Sequence, residues 1–418
     1  MLEKLQKTIK TSPLLRRILW TIAIVFVYML GKYTPIATLP TYRDLKTTGI
    51  WGDSLDNLAM ITGGQFSSLN LFSLGLSPWM TTMILWRFFT LFKKVQGMTN
   101  RQTHYYRMLM MLVISLIQAF GFSAMTDYFY LESFGDASLP ILRTITIFIL
   151  VAGSFGLMWL ADQNGRLGLG GPTAIIISNM ILSFLVNATR FFQENRLDLL
   201  MLLGFLVLFV LITSLLVWIT VRVYRAEYRI PIRRINVISR LVDSTYLPIR
   251  LTPAGGMPFM YAMTLMSLPP MIVIGLLQLF PNSELLLSLR QQMSISQLPG
   301  IIVYISMLFI LAIGFAYFNV DPAELSNQMR KSGDYIVNVR PGKETQDYIE
   351  FYLWRLALIG AIYTSVMGGL PLLFVWSQKG ELGLALLVNN IYIVTSLLLG
   401  MVEQVRIIRS WKSYRDII

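Results

Sequence analysis

Long apolar stretches, almost free of charge, recur along the whole chain. Leu199–Val221 reads LLMLLGFLVLFVLITSLLVWITV and Ile301–Phe318 reads IIVYISMLFILAIGFAYF. About 20 apolar residues carry a helix across a bilayer. In lipid every backbone N–H and C=O must be paired internally, so only helices and closed barrels cross. Barrel strands read as alternating segments of about 10 residues. The stretches here are continuous and roughly twice that length, which selects helices. Charged residues make up 14% of the chain and apolar residues 55%, against about 25% charged in a soluble domain. The expected fold class is an all-α polytopic membrane protein.

Ten spans are expected, at about 18–36, 74–92, 108–126, 139–161, 172–192, 198–221, 256–281, 300–319, 352–376 and 382–402. An even number places both termini on one side. The opposite side then holds only Lys32, Arg43, Lys46, Arg143, Arg190, Arg196, Arg290 and Lys379. Arg87 and Arg355 fall within spans, close enough to the ends to snorkel. Every other lysine and arginine lies on the side of the termini, which the positive-inside bias makes the cytosol. The N-terminus resembles a signal peptide, but no A-x-A-like site follows in LGKYTPIATLP, so it reads as an uncut first span.

Several chemistries are disfavoured. The chain has no cysteine and a single histidine, His104, in the basic stretch KKVQGMTNRQTHYYR. Thiol catalysis, Cys-ligated zinc and multi-His metal sites are therefore out. No catalytic residues, metal site or cofactor are expected. There is no G-x-x-x-x-G-K-[ST] loop and no H-E-x-x-H, and Gly-rich LGLGGP at 167–172 lacks the lysine. If transport needs energy, another protein supplies it. The net charge of +13 follows largely from membrane orientation and does not imply nucleic acid. Ion-coupled transporters usually hold Asp, Glu or His at the midplane. Here Asp162 and Glu403 lie at span ends, which disfavours the alternative of a secondary transporter for small solutes. The outside acids Asp44, Asp53, Asp56, Asp127, Glu132 and Asp136 are scattered, which disfavours a membrane-embedded transferase. An apolar constriction that dewets is a natural barrier for a wide pore.

The ten spans divide five and five near residue 195. An odd number per half inverts the second relative to the first, and such repeats build a central pathway at their interface. The longest polar insertions are 38–70 outside, and 222–255 and 320–351 inside. Residues 53–75, DSLDNLAMITGGQFSSLNLFSLG, are too polar to span. They read as an outside loop lying on the protein or as a re-entrant half-helix lining a cavity. The run VRVYRAEYRIPIRRINVISR is denser in arginine than orientation requires. It reads either as a juxtamembrane helix facing anionic lipid or as a docking surface for a cytosolic partner.

Four segments carry a resemblance to SecY, the channel subunit of the bacterial protein-export translocon. MITGGQFSSLNLFSLGLSPWM (60–80) is similar to that family's plug and following helix, with its L-G-I-x-P-Y-I pattern. GSFGLMWLADQNGRLGLGGP (153–172) is similar to M-W-L-G-E-x-I-T-x-x-G-I-G-N-G. TYLPIRLTPAGGMPFMYA (245–262) resembles the segment opening the seventh helix, L-P-L-K-x-N-x-A-G-V-I-P-x-I-F-A. DPAELSNQMRKSGDYIVNVRPGKETQDYI (321–349) resembles the cytosolic loop with K-S-G-x-x-I-P-G-x-R-P-G. The departures matter. Gly170-Gly171-Pro172 lacks the family Asn, Trp79 replaces Tyr, Arg87 replaces Gln, and Val337-Asn338 replaces Pro-Gly. Together they resemble the accessory SecY of some Gram-positive bacteria, which works with an accessory SecA to export serine-rich, glycosylated adhesins.

The resemblance implies ten helices in two inverted halves, 1–195 and 196–418, around a central pore in the bacterial plasma membrane. It implies a passive channel for unfolded preproteins, driven by a SecA-type ATPase and clamped by a small SecE-like subunit, with membrane lipids around it. Aligned motif to motif, the apolar ring at the pore waist falls on Leu76, Met80, Thr173, Ile177, Met260 and Ile393. Leu76 and Met80 share a helix face, as do Thr173 and Ile177, and methionine adapts its shape to a varied cargo. The plug falls on about 54–70, with Gly63, Gly64, Phe66 and Leu69. Thr81 and Thr264 fall at the lateral gate between the second and seventh helices. Arg233, Arg234 and Arg340 fall on the motor-docking loops, Arg340 matching the family Arg needed for SecA-driven export.

Overall fold

The computed structural model describes residues 13–36, 70–90, 95, 97–124, 138–194, 199–234, 245–280, 283–293, 295, 297–378 and 382–415. It is mostly helical. Twelve helices are described: α1 Pro13–Lys32, α2 Ser77–Phe89, α3 Asn100–Ala124, α4 Ser138–Leu167, α5 Pro172–Glu194, α6 Leu199–Arg225, α7 Met257–Leu279, α8 Glu284–Gln292, α9 Leu298–Asn319, α10 Pro322–Ser332, α11 Lys343–Gln378 and α12 Leu382–Arg415. Three strands join them: β1 Glu227–Arg234, β2 Tyr246–Arg250 and β3 Asp334–Ile336. Seven helical stretches among the described residues are long and apolar enough to cross a membrane. Their outward faces carry large apolar side chains, Phe26, Phe148, Ile310 and Phe374 among them, each more than half exposed. In water such a surface would aggregate; in lipid it is solvated.

The chain packs as two compact units. The first comprises residues 1–201, 263–300 and 397–418, the second 202–262 and 301–396. In the first, α1 packs on α4 and α5, α2 on α3, and α3 on α4. Apolar side chains gain nothing from meeting each other in lipid, so membrane helices approach closely through small residues. Gly121 of α3 does this against α7, since a Cβ there would lie 2.8 Å from the Met271 carbonyl. Gly153 of α4 likewise leaves room for the Leu71 carbonyl. The chain leaves α1 at Pro35 and comes back at Asn70, where the two form an antiparallel bridge.

In the second unit, β1 lies between β2 and β3 in an antiparallel sheet. Of the arginine-dense run, Val221–Arg225 ends α6 and Glu227–Arg234 is a strand rather than a helix, while 235–240 lie outside the described residues. In Glu-Tyr-Arg-Ile-Pro-Ile-Arg-Arg, Ile230 is fully buried while Arg229 and Arg233 are exposed, a period of two that suits a strand. Pro231 cannot donate to a ladder. It pairs with Tyr246 of β2, and the β3 register begins one residue later, at Ile232 opposite Ile336. Beneath the sheet, Ile230, Ile249, Met329, Ile336, Ile349 and Leu353 form one apolar core. Helix α10 is capped at both ends. Asp321 accepts from the N–H groups of Ala323 and Glu324 at 2.9 and 3.2 Å, Pro322 opens the helix, and Gly333 closes it at φ 75°.

Candidate functional site

The tight turn before α2 sets the first candidate ring residues. Asn70 Oδ1 accepts from the Phe72 N–H at 3.0 Å, Ser73 Oγ from the Asn70 N–H at 2.7 Å, and Gly75 takes φ 58°. Pro78 opens the helix without losing a bond, because first-turn N–H groups have no helical acceptor. Leu76, the N-cap, and Met80 lie one turn apart. The Met80 N–H donates to the Leu76 carbonyl at 2.9 Å, and both side chains are fully buried.

Met80 also meets the candidate gate. Thr264 of α7 donates its hydroxyl to Met80 Sδ at 3.5 Å. Thr81, one residue on, is fully buried and donates to the Ser77 carbonyl at 2.8 Å. The structure adds a residue that sequence reasoning missed. Gln118 of α3 is fully buried, and its Nε2 donates to Ser77 Oγ at 3.1 Å. Its Oε1 has no partner. Ser267 of α7 donates to the Thr264 carbonyl at 2.7 Å. A polar seam thus runs where α2, α3 and α7 come together, inside otherwise apolar helices. A single glutamine within an apolar span was the available signal, and only the fold shows what it faces.

The third and fourth ring candidates lie on α5. Thr173 Oγ1 donates to the Gly170 carbonyl at 2.6 Å, and Ile177 one turn later is buried. The loop before α5 is held firmly. Asn164 Nδ2 donates to the carbonyls of Leu169 and Gly171 at 2.9 and 2.7 Å, and the Gly170 N–H donates to Gln404 of α12 at 3.0 Å. Asn164 therefore braces this loop from α4, in a chain that lacks the family Asn within it.

The remaining two ring candidates belong to the second unit. Met260 of α7 and Ile393 of α12 are both buried. The two helices touch closely there. A Cβ on Gly256 would lie 2.7 Å from Ser396, and the rings of Phe259 and Tyr392 are 4.5 Å apart. The six candidates are thus buried or half-buried residues on four helices, four in one unit and two in the other. Gly63, Gly64, Phe66 and Leu69 of the expected plug lie outside the described residues. Among the described residues no three His, Asp or Glu side chains converge on a common point.

The cytosolic-loop candidates sit on the sheet and the turn beyond β3. Arg233 is exposed on β1, opposite Tyr335 of β3. Arg234 pairs with Asp334 in the backbone register. Arg340 is fixed at its backbone and open at its side chain. Its N–H donates to Glu344 Oε2 at 3.3 Å and its carbonyl accepts from Thr345 Oγ1 at 2.8 Å. Ser326 of α10 holds the Gly342 carbonyl at 2.6 Å. The guanidinium is 88% exposed, with Glu344 at 4.0 Å, a distance and exposure at which an ion pair contributes little. Asn338 stands at φ 65°. Left-handed backbone favours glycine, and asparagine tolerates it best of the others, so Asn338 performs the conformational task of the glycine that the family pattern has here. Nearby, Tyr228 of β1 stacks on Tyr352 at 4.7 Å, and a hydrogen bond to Tyr352 pushes its phenol pKa up.

Known proteins resemble this arrangement at two levels. A SecY family profile matches residues 70–402. The accessory Sec system protein translocase subunit SecY2 of Streptococcus parasanguinis is 45% identical over 100% of both chains. The protein of that name from Leuconostoc gelidum is 34% identical over 96% of both. Among solved structures, "The structure of a protein conducting channel" superposes with a TM-score of 0.65 at 16% identity, covering 95% of this chain and 93% of the other. Sec61 in the canine ribosome-channel complex gives 0.62 at 16% identity, with the same coverage. Profile match and full-length identity agree, and the chain belongs to the SecY family.

Proposed function

We propose that this chain is the protein-conducting subunit of an accessory Sec-type translocase, passing unfolded polypeptides across a bacterial plasma membrane. Its cargo is the class of serine-rich, glycosylated adhesins. The observation that carries the reading is the identity with accessory translocase subunits over the full length of the chain. In this reading ten helices cross the membrane in two inverted halves, 1–195 and 196–418, with both termini in the cytosol. Leu76, Met80, Thr173, Ile177, Met260 and Ile393 form the apolar seal, and residues 54–70 form the plug. The chain performs no chemistry. A separate SecA-type ATPase docks on the insertions carrying Arg233, Arg234 and Arg340 and drives the substrate, and a SecE-like membrane subunit braces the channel.

The polar seam supports a side exit between α2 and α7. Opening there requires Thr264 to leave Met80. A hydrogen bond to sulfur is weak, and the groups behind it, Ser77, Thr81 and Gln118, can rebond to each other or to a passing backbone. A gate of this make closes without a deep energetic well.

The test is contact with cargo. An export substrate is stalled part-way, with a photocrosslinker at Ile177 or Met260 of this chain. Adducts at both positions that vanish when the cargo is released are the expected outcome. A stalled substrate that crosslinks only to lipid-facing positions such as Phe148 or Phe374 would remove the reading, as would solute uptake in the absence of any exported protein.

A further inference from the structure

Asp347 and Glu350 are acids that no role above uses. With Phe351, Trp354 and Tyr317 they line an open groove of about 470 Å³ between α9 and α11. Asp347, Glu350, Phe351 and Trp354 recur at i, i+3, i+4 and i+7, so they form one stripe of α11, and each is exposed. Ile349 and Leu353, on the other side of the helix, are buried in the core beneath the sheet. Arg355 extends the exposed stripe, with its guanidinium 4.0 Å from the centre of the Phe351 ring. Tyr317 closes the groove from α9, its ring 6.5 Å from that of Trp354. Among the described residues neither carboxylate has a hydrogen-bond or ion-pair partner, and Arg355 has no carboxylate partner.

Two helices put this groove at a membrane boundary. Tyr317 lies in the last turn of α9, and Trp354 lies where the apolar stretch of α11 begins. Tryptophan and tyrosine favour that level. Deeper along α11, Ile359, Ile362 and Val366 are each about half exposed, so the groove opens at its base onto acyl chains. Its charges are ordered along the same axis. Asp347 and Glu350 precede Arg355 by about 12 and 7.5 Å of helix rise, which puts the carboxylates on the water side and the guanidinium on the membrane side. A phospholipid carries its phosphate beside the glycerol and any ammonium beyond it, nearer water. An ammonium is held by aromatic faces and free carboxylates, a phosphate by arginine. We infer that the groove holds a phospholipid whose headgroup ends in an ammonium, with the phosphate toward Arg355 and the ammonium among Asp347, Glu350 and the Trp354 ring. A purely anionic headgroup meets two carboxylates there, and a basic protein segment meets Arg355. The bound lipid sits on the turns of α11 that carry Ile349 and Leu353, at the foot of the sheet. The inference needs α11 to cross the membrane and does not need cargo to pass through the chain.

The test reads headgroup preference. The chain, purified with its partner membrane subunits, is equilibrated with equal amounts of phosphatidylethanolamine and phosphatidylglycerol of the same acyl chains, and the retained lipids are counted by native mass spectrometry. The parent is expected to retain phosphatidylethanolamine over phosphatidylglycerol by about fivefold. Asp347→Asn combined with Glu350→Gln is expected to level the two, and Asp347→Lys combined with Glu350→Lys to favour phosphatidylglycerol. Arg355→Gln is expected to weaken retention of both. These side chains are exposed, so the amount of folded complex stays at the parent level. Equal retention of the two lipids by the parent overturns the inference, as does a preference that survives the Asn/Gln pair. A preference that appears only once the partner subunits are removed also overturns it, because the groove is then a protein contact. None of these outcomes bears on the polypeptide pathway, which the stalled cargo tests separately.

Discussion

Arg340 shows how a single side chain can be rigidly placed yet structurally idle. Glu344, Thr345 and Ser326 hold the backbone of its turn, and Asn338 supplies the left-handed residue before it. The guanidinium itself projects outward with little to hold it. Replacing it by Glu should therefore leave membrane abundance within about 0.5 kcal/mol of stability, while export by the motor falls at least about tenfold, since a like charge now faces an acidic contact. Secretion normalised to the amount of channel measures this, and unimpaired export would remove Arg340 from the docking surface. The R-P-G motif made this residue legible in the sequence. Gln118 was not legible as a site residue. It reads as a polar interruption of an apolar span, and only the packing of α2, α3 and α7 shows what it faces.

At the level of elements, the helices were readable because an apolar run of about 20 residues has few alternatives in lipid. The β1–β2 pair after α6 was not. The density of arginine drew attention to charge, and both readings of the run overlooked the alternation beneath it. Ile230 and Ile249 point into a core completed by residues more than 70 positions further along, so the local sequence does not reveal where that face is buried. Ile230→Asp places a carboxylate in this core at a cost of several kcal/mol. The expected result is a hairpin cut rapidly by protease added to the cytosolic face, with the membrane-spanning fragments on either side intact. Arg229→Asp, on the exposed face, should leave the hairpin as resistant as the parent. Equal protection of both variants would contradict the assigned strand register.

For the whole molecule, the decisive expectation is topological. The chain contains no cysteine, so one introduced thiol gives one unambiguous label. A cysteine at Ser332 or Arg406 should react with a membrane-impermeant reagent only from the cytosolic side. One at Ser283 should react only from the other. Labelling of Ser332 and Ser283 from the same side would contradict the proposed crossings between them. The positive-inside count is what carries this expectation. The close approach of Pro35 and Asn70, which returns the intervening stretch to its starting point, was not legible in the sequence, since it depends on one bridge between distant residues.

The central strand β1 has a mechanical consequence. It is laddered on one flank to the return strand of its own insertion and on the other to a strand from the later insertion. The two insertions that a motor would grip are therefore one plate rather than two levers. A load applied at Arg340 reaches α6 through β3 and β1 without passing through lipid. A push on either insertion is thus shared among the adjoining ends of α6, α7, α9 and α11.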